Sequence, residues 1–340
     1  MFRNHIKIAL RSLWRKKAFA LLNILGLAVG LASALVIFLV IRHEESYDTF
    51  HTKRDRVYRI GTVLRFNSGQ VSHYGAGTVL LADAFRQDFP QAEKVAATVH
   101  VGVAQFTVPG HTVGGERRFK ETDGMFYAEP ALFDILDYPW LEGVPASALK
   151  EPYTIALSRS VAEQWFGDWH AARGKTVLMG DRRIPLLVTG VLKDPPANTD
   201  IAMRIVLSYA TYRALNTADF NNPATWGSFS NNSECFVLLR RESDIASFQS
   251  RLPAFTRLHY SPTDKGGNAR TETVLVPFKD QHFDEVYDRY GDPNLSIHEL
   301  LTLGLIGVFL VLVACINFIN LSTLFCMAVT GSNPERTSAG

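Results

Sequence analysis

Two long uncharged stretches, Ala18–Ile41 and Leu300–Asn333, lie near opposite ends of this chain and enclose a polar middle. Crossing ~30 Å of hydrocarbon takes roughly 20 apolar residues in a helix. Both stretches exceed that length, and buried helices of soluble proteins seldom run so far without a charge. The pattern predicts a membrane hairpin, with one span over 18–41, a second over 300–329, and a single extramembrane domain over 42–299.

The basic residues orient the hairpin. Arg3, Lys7, Arg11, Arg15, Lys16 and Lys17 precede the first span, and no acid occurs before Glu44. Cations ahead of a first span hold that end in the cytoplasm, which places the domain outside. Phe2, Ile6, Leu10 and Leu13 interleave with the cations at helical spacing, so residues 1–17 read as a basic amphipathic helix lying on membrane lipids. A cleaved signal peptide is the competing reading, and Ala32-Ser33-Ala34 imitates its cleavage site. The apolar run continues to Ile41, beyond the ~7–15 residues of a signal core.

Of 35 Lys and Arg and 33 Asp and Glu, the N-terminal flank takes six cations, which leaves the middle slightly acidic. Basic character therefore belongs to the membrane flank and gives no support to nucleic-acid binding. Cys235 is the one cysteine of the middle, Cys315 and Cys326 belonging to the second span. A lone thiol makes no internal bridge, so a hydrophobic core must hold this domain.

The middle reads as α+β. A strand at Val57–Phe66, a helix at Gly75–Phe89 stopped by Pro90, and an extended run at Val95–Val108 form one unit. The same order returns with a strand at Cys235–Arg240, a helix from Ser243 to about Leu258 capped by Ser243 and Asp244, and a strand at Glu272–Lys279. The two strand–helix–strand units should pair into one lobe, over 55–110 and 234–283. Residues 111–233 read as an inserted lobe of different texture. It has strands at Thr154–Leu157, Lys175–Met179 and Arg183–Leu192, and a helix at Ser158–Phe166. Asp194-Pro195-Pro196-Ala197-Asn198 ends its last strand, because proline cannot donate to a ladder. The connector 284–299 leads to the second span, and 330–340 is a short tail.

Within the spans, Gly26, Gly30 and Ala34 recur every fourth residue, which puts a flat packing face on one side of the helix. Asn317 and Asn320 are polar in hydrocarbon, so they should face another helix or the cytoplasmic boundary. These five residues are the helix-packing candidates.

Catalytic, cofactor and metal motifs are not found. Gly174-Lys175-Thr176 ends like a phosphate loop, but Trp169 stands where its first glycine belongs. His43-Glu44-Glu45 and His298-Glu299 lack the spacing of a zinc site. Asp284, Glu285 and Asp288 lack a glycine-bent calcium loop. No Gly-x-Ser-x-Gly elbow occurs.

Several ordered segments carry a family resemblance. Arg11-Ser12-Leu13-Trp14-Arg15-Lys16-Lys17, Leu25-Gly26-Leu27-Ala28-Val29-Gly30 and Tyr47-Asp48-Thr49-Phe50-His51 resemble the start of MacB/FtsX-type ABC transporter permeases. Val188-Thr189-Gly190-Val191-Leu192-Lys193, running into Asp194–Asn198, and Ala314–Thr323 continue the resemblance in the same order. It implies a MacB-like periplasmic core domain with a βαβ+βαβ (Porter-like) lobe and an inserted mixed α/β (Sabre-like) lobe. It further implies a bacterial inner-membrane permease subunit with a cytoplasmic N-terminus. Such a subunit works as a homodimer or with a second permease half, and relays the motion of a separate cytoplasmic ABC ATPase to its periplasmic domain. The substrates of such systems include lipoproteins, peptides and macrolides, and the family brings no catalytic residues or cofactors. Its members continue after the second span into a basic stretch and further spans, where this chain has Leu324-Phe325-Cys326-Met327. That departure reads as a permease truncated after its second span. A membrane-tethered periplasmic sensor or binding module is the alternative.

Overall fold

The computed structural model describes residues 17–110, 115–230, 232–260, 268–287 and 296–330. The basic segment 1–16, residues 331–340 of the tail and the middle half of the connector (288–295) lie outside the described residues. The chain divides into two compact units, one made by its two ends and the other by Tyr47–Asn294. The first begins with helix α1 (Lys17–Glu44).

The second unit is built on one mixed sheet of thirteen strands among the described residues. In chain order it comprises β1 (Val57–Phe66), β2 (Val71–Tyr74), helix α2 (Leu81–Asp88), β3 (Lys94–Val101), β4 (Ala104–Val108), β5 (Arg117–Glu121), β6 (Met125–Ala128) and β7 (Trp140–Glu142). Then follow β8 (Thr154–Ser158), α3 (Arg159–Phe166), β9 (Thr176–Met179), β10 (Ile184–Leu192), β11 (Ile205–Ser208), α4 (Tyr209–Leu215), β12 (Ser233–Leu238), α5 (Ile245–His259) and β13 (Ala269–Pro277). The strands lie side by side as β13-β1-β12-β3-β6-β11-β8-β10-β9-β4-β5, with β2 on β1 and β7 on β10. The first four are antiparallel, whereas β6–β11 and β8–β10 are parallel. With α2 between β1 and β3 and α5 between β12 and β13, the order β13-β1-β12-β3 interleaves two strand–helix–strand units as a split βαβ arrangement.

Alternating side chains supply two cores, one on each face of the sheet. On β12, Cys235 and Val237 join Phe85, Phe89, Phe248 and Phe255 under α2 and α5, while Phe236 and Leu238 join Leu132, Ile135 and Phe278 on the other face. Strands buried on both faces explain the near-continuous apolar runs at Thr154–Ser158 and Ile205–Ser208.

Several predicted boundaries move, each for a physical reason. The helix expected from Gly75 starts only at Leu81. Before it, the Gly77 N–H donates to the Ser233 carbonyl and the Thr78 hydroxyl to that of Thr225, so this backbone is tied to the chain leading into β12. The extended run Val95–Val108 breaks at Gly102-Val103, and β4 leaves to pair with β5 and β9, strands of the 111–233 segment. Ser243 does not cap α5. The Asp244 carboxylate accepts the Arg241 N–H at 3.1 Å, closing a short 3-10 turn over Glu242–Asp244 ahead of the helix. The last strand begins three residues early, at Ala269, and Phe278–Phe283 forms a 3-10 helix instead of its end. Gly190 sits where β10 shifts register against β8, and a Cβ there would lie 2.4 Å from the Trp140 ring. Glycine is required at that point by close approach.

The first unit pairs α1 with α6 (Ile297–Thr330). Asn23, Gly26, Leu27, Gly30, Ser33, Ala34, Ile37 and Ile41 are the covered or half-covered side of α1, a stripe of spacing three and four that faces one partner. The partner contacts run antiparallel. A Cβ on Gly26 would meet Asn317, one on Gly30 Ala314, one on Gly307 Ile37, and one on Gly304 Ile41. Outside the stripe the apolar side chains are exposed, Leu22 at 71% and Phe309 at 64%. Helices bare of cover on their apolar surface fit lipid rather than a soluble core.

Candidate functional site

The residues that follow α1 in the chain form a buried polar interlock with three distant segments. Asp48 adopts a left-handed backbone conformation (φ 52°), which aspartate tolerates better than most residues. Its N–H donates to the Asn198 carbonyl at 3.0 Å. Its carboxylate accepts the Thr199 hydroxyl at 2.5 Å on one oxygen and the Asp200 N–H at 3.2 Å on the other. The turn Asn198–Ile201 is thereby clipped onto the start of the domain.

His51 lies one turn further on and is 1% exposed. Its Nδ1 accepts the Asp137 N–H at 2.9 Å, which assigns the proton of the neutral ring to Nε2. That nitrogen is 3.8 Å from Asp48 Oδ1, beyond hydrogen-bond reach. The Asp137 carboxylate in turn accepts both the Thr52 N–H and the Thr52 hydroxyl. Tyr138 packs edge-on against His51 and donates its hydroxyl to the Ile201 carbonyl at 2.6 Å. Phe278, from the 3-10 turn after β13, closes the other side of the His51 ring.

His282, in that same 3-10 turn, completes the interlock. Its Nδ1 is 2.9 Å from Asp200 Oδ1, and Tyr47 stacks on its ring with centroids 3.6 Å apart. Residues 47–52, 137–138, 198–201 and 278–282 thus form one connected network.

Burial dominates the electrostatics. It pushes the Asp48 carboxyl up to about 6, with the Asp200 carboxylate adding to the rise and the Thr199 hydroxyl, the Asp200 N–H and His282 opposing it. Burial also pushes His51 down to about 4 against the pull of Asp137. In both cases burial favours the neutral form of the group.

The residues singled out from the sequence fall as follows. Gly26, Gly30 and Asn317 lie on the α1–α6 contact, with a Cβ on Gly26 only 2.7 Å from Asn317 Nδ2. Ala34 is half-buried on the same face. Asn320 is exposed, three residues past Asn317 and rotated ~60° from it around the helix. Gly304, Gly307 and Asn23 belong to this contact too, and their three- and four-residue spacing was the signal for them. Gly174 turns with φ 80° into β9, and the Lys175 N–H is used by the Ala172 carbonyl. Burial in β12 raises the Cys235 thiol, which makes it unreactive. The interlock itself was visible only as the Tyr47–His51 and Asp194–Asn198 segments. Asp137, Asp200 and His282 carried no local signal.

The family model of the MacB-like periplasmic core domain matches residues 20–255, from within α1 to within α5. The chain belongs to the MacB-like periplasmic core domain family of ABC transporter permeases. The match includes Asp48, His51, Asp137 and Asp200, and stops short of His282. A crystal structure of a domain of a permease protein from Porphyromonas gingivalis is similar in fold, with a TM-score of 0.57 at 20% identity. The similarity covers 74% of this chain and 98% of that one. No curated protein matches the chain. With two helices long and apolar enough to cross a membrane on either side of the domain, this member of the family has the layout of a membrane protein.

Proposed function

We propose that the chain is the permease subunit, or the N-terminal part of one, of an ABC transporter in a bacterial inner membrane. It relays ATP-driven motion from a cytoplasmic ATPase subunit to a periplasmic domain, for export or extrusion of substrates such as lipoproteins, peptides or macrolides. The observation that carries this reading is the Asp48–His282 interlock. A helix joined by only three residues to a loose turn would dissipate a displacement. Here the chain leaving α1 is clamped within six residues to Asp137, to the Asn198–Ile201 turn and to the 3-10 turn that begins the return toward α6.

The lobes of this reading follow the strand order. The four-stranded split βαβ part, β13-β1-β12-β3, is the Porter-like lobe, and the part from β6 to β5 is the Sabre-like lobe. The burial of Asp48 and His51 within this network supports a mechanical role, and ATP hydrolysis is assigned to the partner. The test is purification of the tagged full-length protein from membranes of its own organism. A nucleotide-binding subunit should co-purify, and loosening the interlock with Asp48→Ala should lower transport while leaving that subunit bound. Full recovery of the protein with no such subunit overturns the reading.

A further inference from the structure

The end of β4 parts from β9, and one residue sets the point of parting. In this antiparallel pair Phe106 faces Met179 and Thr107 faces Leu178, while the Gly180 N–H donates to the Gln105 carbonyl at 2.8 Å. Hydrogen-bonded positions recur at every second pair of such a ladder, so after Gln105 and Thr107 the next would set Pro109 against Thr176. Proline has no N–H to donate, and the ladder stops at Thr107.

A cleft of about 480 Å³ opens beyond this point, lined by the ends of β4, β5 and α3 and by the turn into β9. It falls in the size range of small-molecule sites, roughly 300–1,000 Å³. Its apolar wall is fixed in place. Trp165 is buried, its ring packs on Phe106 and Phe119, and its indole N–H donates to Glu121 at 3.4 Å. Half-buried Phe166 extends that wall.

Among the described residues, two cations line the same cleft and no carboxylate does. Arg117 donates to the Gln164 and Trp165 carbonyls at 3.0 and 3.2 Å, which ties it to the end of α3. A guanidinium has further N–H groups for another acceptor. Lys175 comes from Gly174-Lys175-Thr176, the segment that ends like a phosphate loop. Its N–H donates to the Ala172 carbonyl and its carbonyl accepts the Val188 N–H, so the root of its side chain is anchored. Neither cation has an ion pair among the described residues. Thr176, exposed next to Lys175, adds a hydroxyl to the lining. Cations without a counter-charge, beside an apolar wall, favour a solute that carries negative charge on an apolar body.

We propose that this cleft binds a small organic anion, a carboxylate or phosphate group carried on an aromatic or alkyl body. The acid group contacts Arg117, Lys175 and the Thr176 hydroxyl, and the body lies on Trp165 and Phe166. The site goes beyond the permease reading and is tested by binding alone, so its failure leaves that reading intact.

The experiment is titration calorimetry on the full chain in lipid nanodiscs, with naphthoate, naphthyl phosphate, naphthylmethylammonium and inorganic phosphate as probes. Saturable binding of naphthoate or naphthyl phosphate, one molecule per chain, is expected, and the tighter of the two identifies the preferred acid group. The ammonium probe should not bind. Inorganic phosphate, which cannot use the apolar wall, should bind at least roughly tenfold more weakly than the tighter naphthyl anion. Lys175→Gln should weaken binding of that anion roughly tenfold, and Lys175→Arg should restore it. Thr176→Glu sets an acid beside Lys175 and should abolish binding. A melting temperature matching that of the parent verifies the fold of each variant. No saturable binding of either naphthyl anion overturns the proposal. So does equal binding of the ammonium probe or of inorganic phosphate, or an affinity indifferent to both Lys175→Gln and Thr176→Glu.

Discussion

Arg59 on β1 and Glu234 on β12 form an ion pair at 2.6 Å with neither side chain exposed to water. They are 175 positions apart in sequence, and their strands join the chain entering the domain to the chain returning from the 111–233 segment. Desolvating two charges largely offsets their attraction, so the pair specifies which strands meet more than it adds net stability. Removing one partner is another matter. Glu234→Ala leaves a guanidinium in the core and should cost about 3–5 kcal/mol, whereas Arg59→Met with Glu234→Leu should recover most of that loss. Denaturant unfolding followed by tryptophan fluorescence measures both.

The interlock predicts two opposed pH dependences. Asp48 is held up at about 6, so the stability it contributes is present below the unfolded aspartate value and is lost as pH rises from about 4 to 6. His51 is held down at about 4, so its contribution is present above about 6.5 and is lost as pH falls toward 4. Each spans roughly two pH units or a little more, about 3 kcal/mol, and in the native protein they nearly cancel. Asp48→Asn should therefore give a domain that gains stability as pH rises from 4 to 6.5. His51→Asn, whose amide oxygen still accepts the Asp137 N–H, should give one that loses stability from pH 4 to 6. Melting temperatures across that range decide the point, and flat profiles for both variants contradict the assignment.

The helix pair makes a geometric prediction. The Ile37 Cβ lies 3.8 Å from where a Cβ on Gly307 would be, within the spacing of a disulfide. Ile37→Cys with Gly307→Cys should oxidise readily within one chain in membranes. Adding Gly30→Leu, which drives a side chain into Ala314 and the Leu310 carbonyl, should slow that oxidation several-fold by separating the helices. Mass-shift labelling of free thiols reads the difference.

Gly190 is expected to be intolerant. A methyl group there must displace the Trp140 ring or the Glu142 backbone, so Gly190→Ala should destabilise by about 1–3 kcal/mol. The neighbouring Thr189→Val loses only hydroxyl bonds to the Ala148 and Ile155 carbonyls, at about 1 kcal/mol. Paired unfolding curves rank the two.

Much of this architecture is legible in the sequence because its causes are local. The absence of charge over a helix of membrane-spanning length predicts both α1 and α6, and short runs rich in β-branched and apolar residues bounded by turn residues predict β1, β8, β9 and β10 to within a residue at each end. Glycines at every fourth position of α1 mark the face that meets α6, since a helical period depends on nothing distant. The shortfalls lie where a local preference meets a tertiary partner. Gly75–Leu80 reads as the first turns of a helix, yet the Gly77 N–H is bound to the Ser233 carbonyl and the Thr78 hydroxyl to that of Thr225. Asn320 shares the chemistry of Asn317 but not its side of the helix.

The sequence alone therefore determines the two flanking apolar helices, the mixed α and β character of the middle and the pairing stripe, because length, charge and periodicity act over a few turns of chain. The tertiary structure alone decides that Asp48, Asp137, Asp200 and His282 share one network, that β4 crosses to the far end of the sheet, and that Thr256 of α5 bonds β13 at Thr273. Those outcomes depend on strand order among segments as far apart in the chain as Tyr58 and Pro277. Strand order is set by burying both faces of the sheet at once, a condition that no single stretch of sequence carries.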